Sequence, residues 1–115
     1  DSFVNIQILE ECSEELILAP NVFTPNNDQK NDLFRISGVN IDYLNYLRIF
    51  DRWGKIVYEK ENLDFTNGIM KREDAWDGNY ASGKYVNNGV YVIMYEGVCL
   101  NGESVSGSGN VTLIR

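Results

Sequence analysis

The chain has 115 residues, a net charge of −7 and no histidine, with an isoelectric point near 4.4. That length fits one domain with a modest core, and 43% apolar with 12% aromatic residues is a globular composition, not a disordered one. The acidity disfavours nucleic acid, whose phosphates need a basic face, and the missing histidine removes Ser-His-Asp and Cys-His catalysis along with the commonest zinc ligand.

Residues 3–9, FVNIQIL, alternate so that Val4, Ile6 and Ile8 form an apolar set, as in a strand with one buried face. ECSEE then reads as a turn or linker. Residues 1–18 are therefore expected to join a preceding domain, with 19–115 forming the domain itself. A start at Asp1 without Met or a signal peptide suits a domain cut from a longer protein. LILAPNVF at 16–23 is the next strand, which Pro20 marks as an edge or a bulge. In the loop that follows, Asn26, Asp28, Asn31 and Asp32 offer oxygen ligands of the kind calcium takes. The loop lacks the glycine that a calcium loop uses for its sharp turn. Asx turns, in which short polar side chains bind nearby N–H groups, explain the same composition.

LFRIS at 33–37 is a short strand. In YLNYLRIF, Leu47 and Ile49 share one face while Tyr46, Arg48 and Phe50 share the other. DRWG turns the chain at Gly54 and KIVYEK resumes it, so 46–60 is a hairpin. Trp53 either anchors a protein partner or folds back over the core with Arg52 stacked or paired beside it. Residues 61–75 read as an irregular polar loop with one helical turn near 70–74. Trp76 is expected in the core, and Asp77–Gly78 in a tight turn. Asp74 and Asp77 lie close in sequence, but no cleft supports a catalytic pair.

Asn88–Gly89 introduces VYVIMYEGV, where Val90, Val92 and Met94 oppose Tyr91, Ile93 and Tyr95. Tyr91 is assigned to the core or to a tyrosine-corner contact. An Asn-Gly turn at 101–102 leads to the final strand. Cys12 and Cys99 show no zinc spacing; they form either one disulfide, in an oxidising compartment, or two free core thiols. No stretch approaches the ~20 apolar residues of a membrane-spanning helix. About seven short strands with frequent turns favour an all-β sandwich over a barrel or an α/β fold.

Four blocks in order carry a resemblance: PNVFTPNNDQKNDLFRI (20–36), LRIFDRWGKIVYE (47–59), WDGNYASGKYVNNGVYVI (76–93) and GNVTLIR (109–115). Together they resemble the gliding-motility-associated C-terminal domain, the type B sorting domain of the bacterial type IX secretion system. Asn27 and Gln29 depart from the two glycines usual in the first block, and Asn87 or Asn88 stands where a proline is usual.

The resemblance implies an immunoglobulin-like β-sandwich ending a large exported protein. An enzyme is disfavoured by the missing histidine, the small size and the lack of any nucleophile motif. By the same resemblance, the domain's partners would be the outer-membrane translocon, a dedicated partner protein and the upstream cargo domains of the same chain, and its location the bacterial surface or exterior. The candidate recognition residues are Arg48, Arg52, Trp53, Gly54 and Lys55 in the hairpin, and Val111, Leu113 and Arg115 in the terminal strand. A calcium-assisted adhesive or carbohydrate-binding module is the alternative. No cofactor is expected, though the loop's oxygen ligands permit calcium.

Overall fold

The computed structural model describes residues 12–13, 16–26 and 32–115; the strand expected at 3–9 lies outside them. Eight strands form among the described residues: β1 (Ile17–Leu18), β2 (Val22–Phe23), β3 (Ser37–Gly38), β4 (Ile41–Phe50), β5 (Ile56–Thr66), β6 (Ile69–Met70), β7 (Gly89–Cys99) and β8 (Ser104–Leu113). Their order in the sheet is β1-β3-β6-β5-β4-β7-β8-β2. Strands β5, β4, β7 and β8 pair antiparallel in turn, and β2 adds parallel to the end of β8 through Val22 opposite Thr112. β5 serves two layers. Along most of its length it pairs with β4, while Phe65 and Thr66 pair with β6. The sheet therefore curls at β5 and brings β6, β3 and β1 over the other layer. The result is an all-β, immunoglobulin-like sandwich.

Strand alternation fills the space between the layers. On β7, Tyr91, Ile93, Tyr95 and Cys99 point inward and are buried, while Val90, Val92 and Met94 face solvent. On β4 the buried residues are Ile41, Leu44, Leu47 and Ile49, a spacing that simple alternation does not give. Register shifts between Ile41 and Tyr43 and between Leu44 and Tyr46 account for it. Each bulge inserts one residue, so an apolar side chain three positions on still faces the core.

Three sequence expectations need correction. LILAPNVF is not one strand: Pro20, which has no N–H to give, separates β1 in one layer from β2 in the other. LFRIS is not continuous either, because Phe34 bridges Trp76 before β3 begins at Ser37. Residues 61–75 are not irregular. β5 runs to Thr66, Asn67 (φ 54°) and Gly68 (φ 80°) turn the chain, and β6 pairs back. Leu63 and Met70 fill the inward face there, among polar residues that face water. Asn67–Gly68 is itself the usual two-residue hairpin turn. The helical turn expected near this point is a 3-10 turn at Arg72–Asp74.

Candidate functional site

Because β4, β5, β7 and β8 run antiparallel, the end of β4, the start of β5, the start of β7 and the end of β8 share one end of the sandwich. Phe50 lies opposite both Ile56 and Val92, and Gly89 opposite Leu113. The 51–55 hairpin tip, the 77–88 loop and Arg115 project from that end.

At the tip, Asp51 Oδ1 accepts the backbone N–H of Trp53 and of Lys55, each at 2.9 Å. Gly54, at φ 85°, has nothing within 4 Å of where a Cβ would lie and serves the turn. Trp53 is 71% exposed, and the Arg52 guanidinium sits 4.0 Å from its ring centroid. Trp53 therefore does not cover the core; Arg52 stacks on it. Lys55 Nζ lies 5.5 Å from the Tyr80 ring.

The 77–88 loop is built from short turns. Asp77 Oδ1 accepts the Asn79 N–H at 3.1 Å, and Tyr80 and Lys84 close a small hairpin through Tyr80 N–H and Lys84 O. Arg115 clasps this loop. Its guanidinium donates to the carbonyl oxygens of Gly78 (2.5 Å), Val86 (3.4 Å) and Pro25 (3.4 Å), and its carbon lies 4.1 Å from the centroid of the Tyr85 ring. Gly78 must be glycine for this clasp: its φ is 82°, and a Cβ there would meet Pro25 at 3.0 Å and Leu113 at 3.1 Å.

Directly beneath lies the aromatic part of the core. Trp76 is fully buried, with ring centroids of Phe23, Tyr91 and Tyr58 at 5.2, 5.4 and 6.5 Å. Its Nε1–H donates to Asn79 O at 3.0 Å. The Tyr91 hydroxyl donates to Asn87 O, four residues upstream, as a tyrosine corner does. Burial, then the nearby Tyr80 and Asp51, hold the Tyr91 phenol above its usual value.

The other expected residues divide. Arg48 lies lower on β4, with Nε 2.7 Å from Glu59 Oε2 and its guanidinium 4.1 Å from the Tyr46 ring centroid. Val111 and Leu113 are fully buried; alternate residues of β8 point inward, so these two supply packing and no surface. In the loop, the Asn26 N–H donates to Asp32 Oδ1 at 3.1 Å, while Asp28 and Asn31 lie outside the described residues. Among the described residues no group of three or more His, Cys, Asp or Glu gathers to hold a metal. A disulfide joins Cys12 to Cys99, Cα to Cα 5.4 Å, at the far end of β7. Tyr80, Lys84 and Tyr85 were not singled out from sequence. Their turn-rich loop gave no sign of which element it would face.

Tyr58 ties the flank of this end together. Its hydroxyl donates to Asp74 O at 2.5 Å, and Asp74 pairs with Lys60 Nζ at 2.7 Å. Burial first, then the charges of Asp74 and Asp77, push the phenol from 10.0 up to about 12. The unfolded chain ionises Tyr58 near the ordinary value while the folded one keeps it neutral. The stabilisation is full below pH 10 and is lost as pH rises toward 12. Denaturant midpoints measured across that range are expected to fall, and to fall less steeply in Tyr58→Phe.

A family model described as the CHU_C type IX secretion signal domain matches residues 17–113. No curated protein matches the chain in sequence. Ten chains of solved structures match this one, among them two that share the fold. One is PorZ, described as an essential bacterial surface component of the type IX secretion system of Porphyromonas gingivalis, at TM-score 0.56 and 20% identity. The alignment covers 88% of this chain but 12% of PorZ. The other is CopC from Methylosinus trichosporium OB3b, at TM-score 0.53 and 16% identity over 84% of both chains.

Proposed function

The chain belongs to the CHU_C type IX secretion signal domain family, and from that premise we propose that it is the non-catalytic address of a larger exported protein. In this reading the upstream domains of the same chain are cargo. The outer-membrane translocon and a dedicated partner protein recognise the folded sandwich, and the cargo is delivered to the cell surface or exterior. A family of secretion signals interacts with the secretion machinery and accompanies secreted or surface proteins. Among the described residues no helix is long and apolar enough to cross a membrane.

The observation that carries the reading is the convergence of the four sequence blocks on one end. DRWGK forms the tip. WDGNYASGKYVNNG forms the adjoining loop, and the last residue of VTLIR clasps that loop to Pro25 of the first block. A receptor meeting this end finds it already ordered, which spares the entropy of arranging it.

The adhesive or carbohydrate-binding alternative fares less well. Among the described residues the most exposed aromatics, Trp53 at 71% and Tyr85 at 70%, each carry a guanidinium over one ring face, where a sugar would stack. If Asn26, Asp28, Asn31 and Asp32 form Asx turns, millimolar calcium leaves the thermal midpoint unchanged; a rise would assign the loop to calcium.

A reporter fused to all 115 residues tests the address. It is expected outside cells that have an intact type IX translocon and inside the periplasm of cells that lack one. Retention in both strains would end the proposal.

A further inference from the structure

We infer that the hairpin-tip end of the sandwich docks a carboxylate-rich protein surface; this rests on the sorting reading above. The chain is strongly acidic overall, yet Arg52, Lys55, Arg72, Lys84 and Arg115, half of its ten Lys and Arg residues, belong to this end. Grooves link them. One, of about 560 Å³, runs from Arg52 and Trp53 past Tyr80 to Val90 and Val92. Another, of about 470 Å³, joins Arg72, Tyr85 and Arg115 to Asp32 and Asp77.

Against those five cations this end carries Asp32 and Asp51, both half-buried, and the exposed Asp77. Asp51, Asp77 and Asp32 each accept backbone N–H groups within their turns. On the adjoining flank, Glu59 and Asp74 are ion-paired with Arg48 and Lys60, and Glu73 is exposed. The cations are disposed differently. Arg52, Lys55 and Arg115 lie over Trp53, Tyr80 and Tyr85. The Trp53 ring under the Arg52 guanidinium fixes its plane and leaves its edge to meet a carboxylate with two parallel hydrogen bonds, whereas Arg115 spends its donors on the carbonyl oxygens of Pro25, Gly78 and Val86.

Exposed apolar side chains adjoin the cations: Trp53, Ile56, Val90, Val92 and Met94. Aromatic and Arg residues with an apolar surround are what a protein interface uses at its centre. The opposite end carries Asp42, Asp64 and Glu103, toward the Ile41–Cys99 pairing. An acidic partner is therefore repelled by most of the body and admitted at one end, so charge sets the orientation of docking.

The test uses the same 115-residue reporter fusion. Arg52→Glu with Lys55→Glu is expected to cut the extracellular reporter at least tenfold. Neutralisation by Arg52→Gln with Lys55→Gln is expected to cut it only a few-fold, because it removes attraction without adding repulsion. Glu103→Lys, which changes net charge as much as one reversal but at the other end, is expected to leave export unchanged. Thermal midpoints of the purified variants show that each is folded. Equal export of wild type and the double reversal overturns the inference while the sorting reading survives. Equal losses from neutralisation and reversal also overturn it, since sign would then not matter. Sedimentation of the domain with phosphatidylglycerol vesicles, abolished by the double reversal, would assign the surface to membrane phosphates instead. A wild-type fusion that stays inside translocon-competent cells overturns the sorting reading and this inference with it.

Discussion

Trp76→Ala is expected to lower the thermal midpoint by about 15–20 °C, following a loss of about 3–5 kcal/mol for truncating a buried large aromatic. Trp76 is fully buried and meets Phe23, Tyr58 and Tyr91. Neighbouring rings come from β2, β5 and β7, so the gap cannot close by movement of one strand. The indole N–H to Asn79 O bond is lost as well. A domain of this size has ~5–15 kcal/mol of stability in all, so the variant sits close to unfolding. Trp53→Ala, at the exposed tip, is expected to change stability by less than about 0.5 kcal/mol. Scanning calorimetry on both variants separates the two tryptophans. Similar midpoints would mean that Trp76 does not organise the core.

Replacing both cysteines by serine is expected to cost up to roughly 4–5 kcal/mol, the loop-closure entropy of a cross-link spanning 87 residues. The bond fixes the segment before β1 to the end of β7. It thereby holds one layer to the other at the end opposite the tip, where the strands of the first layer are two residues long. Such short strands contribute few ladder bonds of their own. Urea midpoints with and without reductant measure the effect, and an intact mass that rises by two hydrogens on reduction counts the bond. Unchanged midpoints would remove the disulfide from the list of what holds the fold.

The fold class was legible because the long strands advertise themselves. β7 is rich in β-branched and aromatic residues with its two faces cleanly separated from Val90 to Tyr95, and β8 follows an Asn-Gly turn. What escaped was structure set by distant pairing. β6 has two residues and no pattern of its own; Asn67–Gly68 returns it to the end of β5, and the distant pairing of Ile69 with Ser37 completes it. The bulges in β4 break the alternation that sequence reading relies on, and only pairing with β7 makes Ile41 and Leu44 face inward.

The candidate site was half visible for the same reason. Arg52 and Trp53 stand out in a hairpin tip. Tyr80, Tyr85 and Lys84 matter only because antiparallel pairing carries their loop to the same end, and no local signal encodes that. Val111 and Leu113 illustrate the converse. As members of the last strand they were natural candidates for a docking edge, yet the two-residue period of β8 turns both into the core and leaves Asn110, Ile114 and the half-buried Arg115 nearer the surface.

In the proposed reading, folding and addressing are joined at Arg115 and Trp76. The clasp and the aromatic cluster order the loop from below, and the loop supplies two of the three rings that carry cations above. Recognition of a shaped end, as opposed to a linear peptide, requires that coupling. The decisive measurement is the extracellular fraction of a reporter carrying residues 1–115 in their native order, compared with the same residues in scrambled order, in a type IX-competent strain. Native order should deliver the reporter outside the cell while the scrambled fusion stays in the periplasm. Equal release of the two would mean that no folded surface is being read.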